Sequence, residues 1–152
     1  MLKTAEIFSS VQGEGLRQGE PTLFIRFTGC NLRCSFCDTK YAWEPGSDMS
    51  VERIMQRVQA ARKVFPARWV CLTGGEPLLQ DLAPLVGRLK RAKLNVQVET
   101  NGTLGRDWPV DWWTVSPKPP AWKTAAFFRK KASEVKLVVT RRLTLETLRT
   151  LR

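Results

Sequence analysis

Apolar runs of strand length recur along the chain, and helical patterns lie between several of them. The runs cover residues 23–27, 69–72, 96–98, 112–115 and 135–139. They are short, rich in β-branched and aromatic residues, and bounded by polar or turn-forming residues, which is typical of buried strands. The pattern therefore predicts five strands.

Two segments between these runs have a helical period. Ser50 is a good N-cap for residues 51–64, in which Ile54, Val58 and Ala61 share one face, and the helix is expected to stop at residues 65–66. A second helix is predicted from Asp81 through Lys93. Its apolar stripe consists of Leu82, Leu85, Val86 and Leu89. Strands alternating with helices predict parallel βαβ units, an α/β fold and a single domain over residues 1–152.

The last predicted element is a helix after residues 135–139. Leu145, Leu148 and Leu151 share its apolar face, and the sequence ends at Arg152 without a capping glycine or a further strand. We expect either a naturally short protein or one whose C-terminal part is absent.

Composition places the chain among ordinary soluble proteins. Hydrophobic residues make up 43% and charged residues 26%, and no apolar run approaches the roughly 20 residues of a membrane helix. The N-terminus lacks the pattern of a secretory signal, so we expect a cytoplasmic protein without membrane association. The net charge of +11 would suit nucleic acid, but the basic residues fall mainly on the predicted solvent sides of helices. We interpret them as solvated faces.

Three of the four cysteines form the most informative cluster. Cys30, Cys34 and Cys37 have a C-x3-C-x2-C spacing directly after a predicted strand. One loop can wrap three thiolates around a cubane, and an iron without a protein ligand can then chelate a small molecule. Structural zinc usually takes four Cys or His ligands, and the chain contains no histidine. We therefore predict a 4Fe-4S cluster on these three residues. Cys71, on the same strand face as Thr73, is expected to be a buried structural thiol.

A glycine-rich turn follows the second predicted strand. Its sequence is Thr73-Gly74-Gly75-Glu76-Pro77, about forty residues beyond the cysteine loop. A turn at the carboxyl end of a parallel strand is a common ligand site, and glycines permit close backbone approach. Together, the cysteine spacing and this turn resemble the radical S-adenosylmethionine superfamily, in which the turn contacts the methionyl amino group.

Further motifs resemble the 7-carboxy-7-deazaguanine synthases of that superfamily. The resemblance extends over roughly residues 6 to 140, and its motifs are residues 8–15, 19–26, 29–32, 37–39, 99–103 and 116–118. It implies a partial parallel (βα) barrel, apparently shortened at its C-terminus relative to the family.

The resemblance also implies a reaction. Such enzymes are lyases that convert 6-carboxy-5,6,7,8-tetrahydropterin to 7-carboxy-7-deazaguanine with release of ammonia, on the way to 7-deazapurines such as queuosine. An electron from the cluster cleaves S-adenosylmethionine, the resulting radical abstracts hydrogen from C6 of the pterin, and S-adenosylmethionine is regenerated. The implied partners are Mg²⁺, an electron donor such as flavodoxin or ferredoxin, and a second subunit in a homodimer. A dimer contact could use Trp112 or Trp113, which point to opposite faces of their strand. We expect no nucleic-acid partner.

Residue roles follow from the same motifs. The resemblance implies that Thr39 binds magnesium. It implies that S-adenosylmethionine is contacted by Phe36, Cys37, Asp38, Gly75, Ser116, Pro117 and Lys118. It implies that the substrate is contacted by Val11, Gln12, Gly13, Arg26 and Thr73. Arg26 would pair with the substrate carboxylate, for which a planar guanidinium is well suited.

Lys136 is singled out by the residue pattern alone. A lysine within an apolar strand either faces an anionic ligand or lies exposed on an edge strand, and the sequence favours neither.

Two other functions share part of this pattern. A glycyl-radical-enzyme activase would have the same cysteine spacing and Gly-Gly-Glu-Pro turn, but would act on a protein. A metal-stabilised nucleic-acid-binding module would explain the basic charge, the aromatic residues and the cysteine loop. The Gln12-Gly13-Glu14-Gly15 segment and Arg26 favour a small carboxylated substrate.

Overall fold

The computed structural model describes residues 1–141 and 143–150, with Thr147 and Thr150 described by their backbone alone. Its central feature is one seven-stranded sheet with the order β3-β1-β2-β4-β5-β6-β7. The strands are β1 (Leu2–Val11), β2 (Pro21–Phe27), β3 (Ser47–Met49), β4 (Trp69–Gly74), β5 (Asn95–Thr100), β6 (Trp112–Val115) and β7 (Glu134–Val135).

The sheet is mostly parallel. Strands β2, β4, β5, β6 and β7 run in one direction, whereas β1 pairs antiparallel with both β2 and β3. Among the described residues, β3 and β7 are the two edges of the sheet, so it is not closed into a barrel. The predicted α/β fold with parallel βαβ units is confirmed.

The described residues form four α-helices, namely α1 (Val51–Val64), α2 (Ala83–Arg91), α3 (Phe128–Lys131) and α4 (Leu145–Thr150). Helix α1 begins and ends as predicted, and Ser50 Oγ accepts a hydrogen bond from the Arg53 N–H at 3.1 Å. Helix α2 is shorter than predicted. It begins only after Leu82, with Pro84 in its first turn, and it ends before Lys93, whose φ of 56° is left-handed.

The apolar core lies between one face of the sheet and helices α1 and α2. Alternate residues of each strand point into it, as the period of two requires. The predicted stripe of α2 is fully buried against the same face. The strand residues in this core are Leu2, Leu23, Ile25, Phe27, Val70, Leu72, Val96, Val98, Trp113 and Val115. The opposite face of the same strands is mainly polar, and it builds the site described below.

The prediction of a strand over residues 135–139 is wrong. Strand β7 contains only Glu134 and Val135, and the Lys136 N–H donates to the Val115 carbonyl at 2.8 Å as the last contact with β6. Strand β6 ends at Val115, so its pairing with β7 stops there, and Val139 is 86% exposed. Strands β1 and β3 were not predicted.

The predicted C-terminal helix is present as α4, which includes Leu145 and Leu148, while Leu151 lies outside the described residues. The predicted basic surfaces of α1, α2 and α3 are largely exposed. None of the helices in the described part of the chain has the length and apolarity needed to cross a membrane.

The cap of α1 generates a stability prediction. Ser50→Ala removes the hydroxyl that satisfies the Arg53 N–H, so we expect the free energy of unfolding to fall by about 1 kcal/mol. Ser50→Thr keeps an acceptor and should lose only a few tenths of a kcal/mol. Urea unfolding at constant m-value measures both variants. Equal losses would show that the cap bond does not stabilise the helix.

Candidate active site

A cavity of about 840 Å³ opens over the polar face of the sheet, at the carboxyl ends of β2, β4, β5 and β6. Its position follows from the parallel pairing of β2 with β4, which places Arg26 opposite Thr73 and Phe27 opposite Gly74. Chain segments that leave these strands must meet at the carboxyl ends of the parallel strands. The cysteine loop leaves β2 there, and the Gly-Gly-Glu-Pro turn leaves β4.

The three clustered cysteines lie together on the wall of this cavity. Cys30, Cys34 and Cys37 are free thiols and half-buried. The Cys37 N–H donates to the Cys34 carbonyl at 3.0 Å, and the Thr39 N–H donates to the Cys37 Sγ at 3.4 Å. Burial raises the pKa of the Cys34 thiol, and the charge of neighbouring Cys30 raises it further. Backbone donation to a sulfur and three thiols on one short loop suit an iron-sulfur cluster.

Cys71 has a different environment. It lies in β4, is fully buried and does not line the cavity. Burial raises the pKa of its thiol well above the ordinary value, so it stays protonated. In residues 1–141 and 143–150, no three His, Cys, Asp or Glu side chains form a ready-made metal site.

The turn after β4 packs directly on the start of the cysteine loop. The Gly75 N–H donates to the Phe27 carbonyl at 3.1 Å, and the Glu76 N–H donates to the Gly29 carbonyl at 2.7 Å. Gly74 has a φ of 134°, and a side chain there would collide with the Phe27 backbone. A Cβ on Gly75 would collide with the Gly29 carbonyl and lie 3.1 Å from the Cys30 Cβ. Both positions therefore require glycine.

Glu76 joins this turn to the end of β5. Its side chain is fully buried, and both carboxylate oxygens accept hydrogen bonds. Oε1 accepts from the Leu78 N–H at 3.0 Å and from the Thr100 hydroxyl at 2.8 Å, and Oε2 accepts from the Asn101 N–H at 2.7 Å. Burial raises the pKa of this carboxyl, and the three hydrogen bonds partly offset that rise. Glu76 thus positions the turn and does not line the cavity.

Arg26 reaches the cavity from β2 and is paired with Glu6 of β1. Its Nε donates to Glu6 Oε1 at 2.7 Å, and the Tyr41 hydroxyl donates to the same oxygen at 2.5 Å. The hydrogen bond from Tyr41 is the largest cause lowering the pKa of Glu6, and Arg26 lowers it further. The guanidinium also lies over the rings of Phe8 and Tyr41, at 5.7 and 5.9 Å. These contacts leave the two terminal nitrogens of Arg26 for an anionic ligand.

Glu99 of β5 lies at the centre of the polar face. Thr73 Oγ1 donates to its Oε2 at 3.1 Å, and Gln12 Nε2 donates to its Oε1 at 3.1 Å. Lys136 Nζ also contacts Oε1 at 3.1 Å and reaches Glu14 Oε2 at 2.9 Å. Burial opposes the charge of Lys136, but Glu99 and Glu14 hold its pKa above the ordinary value. Lys136 therefore lines the cavity, although it does not lie in a strand.

The other predicted contact residues are also found around the cavity. Lys118 Nζ donates to Ser116 Oγ at 2.6 Å, and burial lowers the pKa of Lys118. Thr39 is half-buried and donates from Oγ1 to Asp38 Oδ1 at 2.8 Å. Pro117 is buried and does not line the cavity. The remaining lining residues among those predicted are Val11, Gly13, Phe36 and Gly75. Their individual roles stay predictions.

Several polar residues that line the cavity or support its wall were not assigned an individual role from the sequence. Glu6, Tyr41, Glu14, Arg17, Gln97 and Glu99 belong to this group. Sequence 95–100 alternates apolar and polar residues at Val96, Gln97, Val98 and Glu99. That alternation indicates a strand with one polar face, which would have pointed to Gln97 and Glu99.

Comparisons with known proteins identify the class to which this site belongs. A model of the Radical SAM superfamily matches residues 24–113. The chain therefore belongs to the radical SAM superfamily, whose members use a 4Fe-4S cluster and S-adenosylmethionine. The site fits a 4Fe-4S cluster and S-adenosylmethionine because it has three thiols, two glycines beside Cys30 and a large enough cavity.

More specific matches identify the family. The 7-carboxy-7-deazaguanine synthase of Methanospirillum hungatei is 48% identical over 108 residues, covering 70% of this chain and 44% of that protein. That of Synechocystis sp. is 39% identical over 135 residues, covering 89% and 64%. A crystal structure of QueE from Escherichia coli has a TM-score of 0.86 and 33% identity, covering 99% of this chain and 76% of that one. The chain belongs to the 7-carboxy-7-deazaguanine synthase family. It spans roughly half the length of several curated relatives that it matches.

Glu76 generates a prediction about the turn. Glu76→Gln replaces one accepting oxygen with an NH₂ group, which can only donate. Whichever oxygen is replaced, the NH₂ group then faces an N–H or hydroxyl that now donates to the carboxylate. We expect the free energy of unfolding to fall by about 1 to 3 kcal/mol. Glu52→Gln, on the solvent side of α1, is the matched control and should change stability by less than about 1 kcal/mol. Similar urea midpoints for the two variants would contradict the role assigned to Glu76.

Proposed function

We propose that this chain converts 6-carboxy-5,6,7,8-tetrahydropterin to 7-carboxy-7-deazaguanine with loss of ammonia, acting as a carbon-nitrogen lyase. One observation carries the proposal. A single cavity is lined by the cysteine loop, by the glycines of the Gly-Gly-Glu-Pro turn and by polar residues around Arg26. The family membership supports the same reaction.

The cofactors occupy the part of the cavity next to the cysteine loop in this proposal. Cys30, Cys34 and Cys37 would hold the cluster, and three thiolates from one loop would leave it able to take S-adenosylmethionine as a further ligand. When both are bound, they supply an organic radical that can remove a hydrogen atom from carbon. The protein's own residues bind and orient these cofactors. Gly75 lies beside Cys30, where its backbone would contact the cofactors, and Lys118 and Ser116 would offer polar contacts from the wall of the same cavity.

The substrate occupies the part of the cavity over the polar face. Arg26 pairs with its carboxylate through the two terminal nitrogens, while Glu6 and Tyr41 hold the guanidinium in place. Thr73, Gln12 and Glu99 offer hydrogen bonds to the heterocycle. Lys136 offsets the charge of Glu99 and Glu14, which lowers the cost of placing two carboxylates beside an anionic substrate. Val11 and Gly13 flank Gln12 on the rim.

The proposal also includes Mg²⁺, an electron donor and a second subunit. Thr39 and the adjacent Asp38 offer oxygen ligands to Mg²⁺, which needs few protein contacts when substrate oxygens and water complete its shell. An electron donor such as flavodoxin or ferredoxin reduces the cluster, and two chains associate as a homodimer. The continuous sheet supports treating residues 1–152 as one domain.

The direct test is anaerobic incubation of reconstituted protein with dithionite, S-adenosylmethionine and the carboxylated pterin. We expect a product with the mass of 7-carboxy-7-deazaguanine and one equivalent of ammonia. Reductive cleavage of S-adenosylmethionine without any change in the pterin would reject the substrate while keeping the superfamily chemistry. Protein that contains zinc in place of iron and sulfide would reject both.

The cysteines give a matched set of variants. Cys30→Ala, Cys34→Ala and Cys37→Ala should each lose the intact cluster and the reductive cleavage, because these three thiols share the loop at the cavity. Cys71→Ala should keep both, because this thiol is buried in β4 and lies outside the cavity wall. Iron and sulfide analysis with the visible absorption spectrum measures the cluster. Cluster loss in Cys71→Ala, with the fold intact by circular dichroism, would show that the ligands are wrongly assigned.

Arg26→Lys tests the substrate carboxylate contact. Lysine keeps the positive charge but loses the planar fork, so we expect pterin binding to weaken by about 1 to 3 kcal/mol. Binding of S-adenosylmethionine should barely change. Anaerobic titration of the variant with each ligand separates the two sites. Unchanged pterin affinity, or equal losses for both ligands, would remove Arg26 from the substrate site.

A further inference from the structure

A chain of hydrogen bonds beneath the cavity connects two charged residues with the side chain of Gln12. Arg17 lies at one end and Glu134 at the other, and neither side chain lines the cavity. Between them are Gln97 and Thr114, both fully buried. Gln12 is 4% exposed and is the residue of this hydrogen-bond network that reaches the cavity wall.

Arg17 forces one orientation on the amide of Gln97. Its side chain is 3% exposed and stacks on Trp69, with Cζ 3.4 Å from the ring centroid. Nη2 donates to Glu20 Oε2 at 2.8 Å, and Nη1 donates to Gln97 Oε1. A guanidinium can only donate hydrogen bonds, so Gln97 must turn its oxygen toward Arg17.

Glu134 forces the same orientation from the other end. The Thr114 hydroxyl donates its single proton to Glu134 Oε1 at 2.7 Å. Its oxygen is then left to accept, and Gln97 Nε2 donates to it at 2.9 Å. A carboxylate can only accept, so the direction of donation along the chain is set by Glu134 as well. Glu134 Oε2 also accepts from the Leu16 N–H at 2.8 Å, which anchors the loop that carries Arg17.

Gln97 and Glu99 together set the orientation of the Gln12 amide. Gln97 Oε1 accepts from Gln12 Nε2 at 3.3 Å, and Glu99 Oε1 accepts from the same nitrogen at 3.1 Å. Both protons of this nitrogen are therefore used beneath the cavity. The oxygen of the Gln12 amide accepts from the Glu14 N–H at 3.3 Å and has a second lone pair to offer. Gln12 thus presents an acceptor to a ligand.

We propose that Arg17 and Glu134 are positioning residues that hold the Gln12 amide with its oxygen toward the ligand, so that the site selects a heterocycle with an N–H directed at this point. The inference rests on the proposed function and adds a basis for its specificity. A tetrahydropterin ring carries N–H groups where a fully oxidised pterin carries bare nitrogens. The oxidised ring would place an acceptor against an acceptor, which a polar pocket rejects strongly.

The test removes both charged ends at once. Arg17→Gln with Glu134→Gln leaves the net charge unchanged, so long-range attraction of an anionic ligand is preserved, while each new amide can donate or accept. We expect affinity for 6-carboxy-5,6,7,8-tetrahydropterin to fall about tenfold, the loss of roughly one hydrogen bond to a charged or polar partner, relative to affinity for oxidised 6-carboxypterin. The matched control is Lys131→Gln with Asp107→Asn, an exposed ion pair of 3.6 Å, which should leave the ratio unchanged.

Two further comparisons separate positioning from simple stabilisation. In a Gln12→Ala background the double substitution should no longer alter the ratio of the two affinities. Arg17→Lys, which keeps a residue that can only donate, should retain the ratio better than Arg17→Gln, and this pair replaces the double variant if the latter does not fold. Equal loss of affinity for both pterins and for S-adenosylmethionine, or an effect that persists without Gln12, would overturn the inference.

The inference can also be decided without any pterin. In ¹⁵N-labelled wild-type protein the side-chain NH₂ of Gln12, assigned by its disappearance in Gln12→Ala, should exchange slowly with water because both protons are bonded. Exchange should accelerate in Arg17→Gln with Glu134→Gln. If the wild-type protein binds no pterin but shows this protection, the proposed function fails while the positioning stands. Fast exchange in the wild-type protein rejects the positioning.

Discussion

The parallel pairing of β2 with β4 is the constraint on which the site depends. It sets Arg26 beside Thr73, and it brings the segment after Phe27 against the segment after Gly74. The cysteine loop and the Gly-Gly-Glu-Pro turn therefore start from adjacent strand ends, and two backbone hydrogen bonds join them directly. Side chains at Gly74 or Gly75 would prevent that approach, so the glycines are a consequence of the pairing.

Glu76 extends this connection to β5. A buried carboxylate is costly unless its oxygens are satisfied, and here three donors from two segments satisfy them. Because two of these donors come from Thr100 and Asn101, the carboxyl end of β5 is held at a fixed height relative to the turn. Glu99, one residue earlier, then points to the polar face, where it meets Thr73 and Gln12. The end of β5 thus binds a structural carboxylate, that of Glu76, and carries a cavity carboxylate, that of Glu99.

The sequence predicted the elements with strong local signals. Helix α1 has a cap, a stripe and a clear end, and β6 has four consecutive residues of high β propensity. Strand β1 was missed because its pairing with β2 shifts between Thr4 and Glu6, which interrupts the period of two. Strand β3 has three residues without β propensity and owes its conformation to backbone pairing with β1. Such tertiary effects leave no local pattern.

The same distinction applies to the site. The cysteines and the glycine turn are short motifs whose chemistry is local, so the sequence alone located them. Contacts such as Glu6 with Tyr41, or Arg17 with Gln97, join residues 35 and 80 positions apart. Their partners depend on strand order and register, which a single sequence does not specify. Lys136 illustrates the limit, because its direction toward the cavity depends on where β7 ends.

The alternation of the central strands separates stability from chemistry along the same backbone. In β4, Val70 and Leu72 fill the core while Cys71 and Thr73 face the other way, and β5 divides Val96 and Val98 from Gln97 and Glu99 in the same manner. Inserting or deleting one residue within either strand would exchange the two sets, emptying the core and filling the cavity with aliphatic groups in a single event. Changes of length in this protein are therefore tolerable in its loops and not in these strands, whereas point substitutions can adjust the cavity without touching the core.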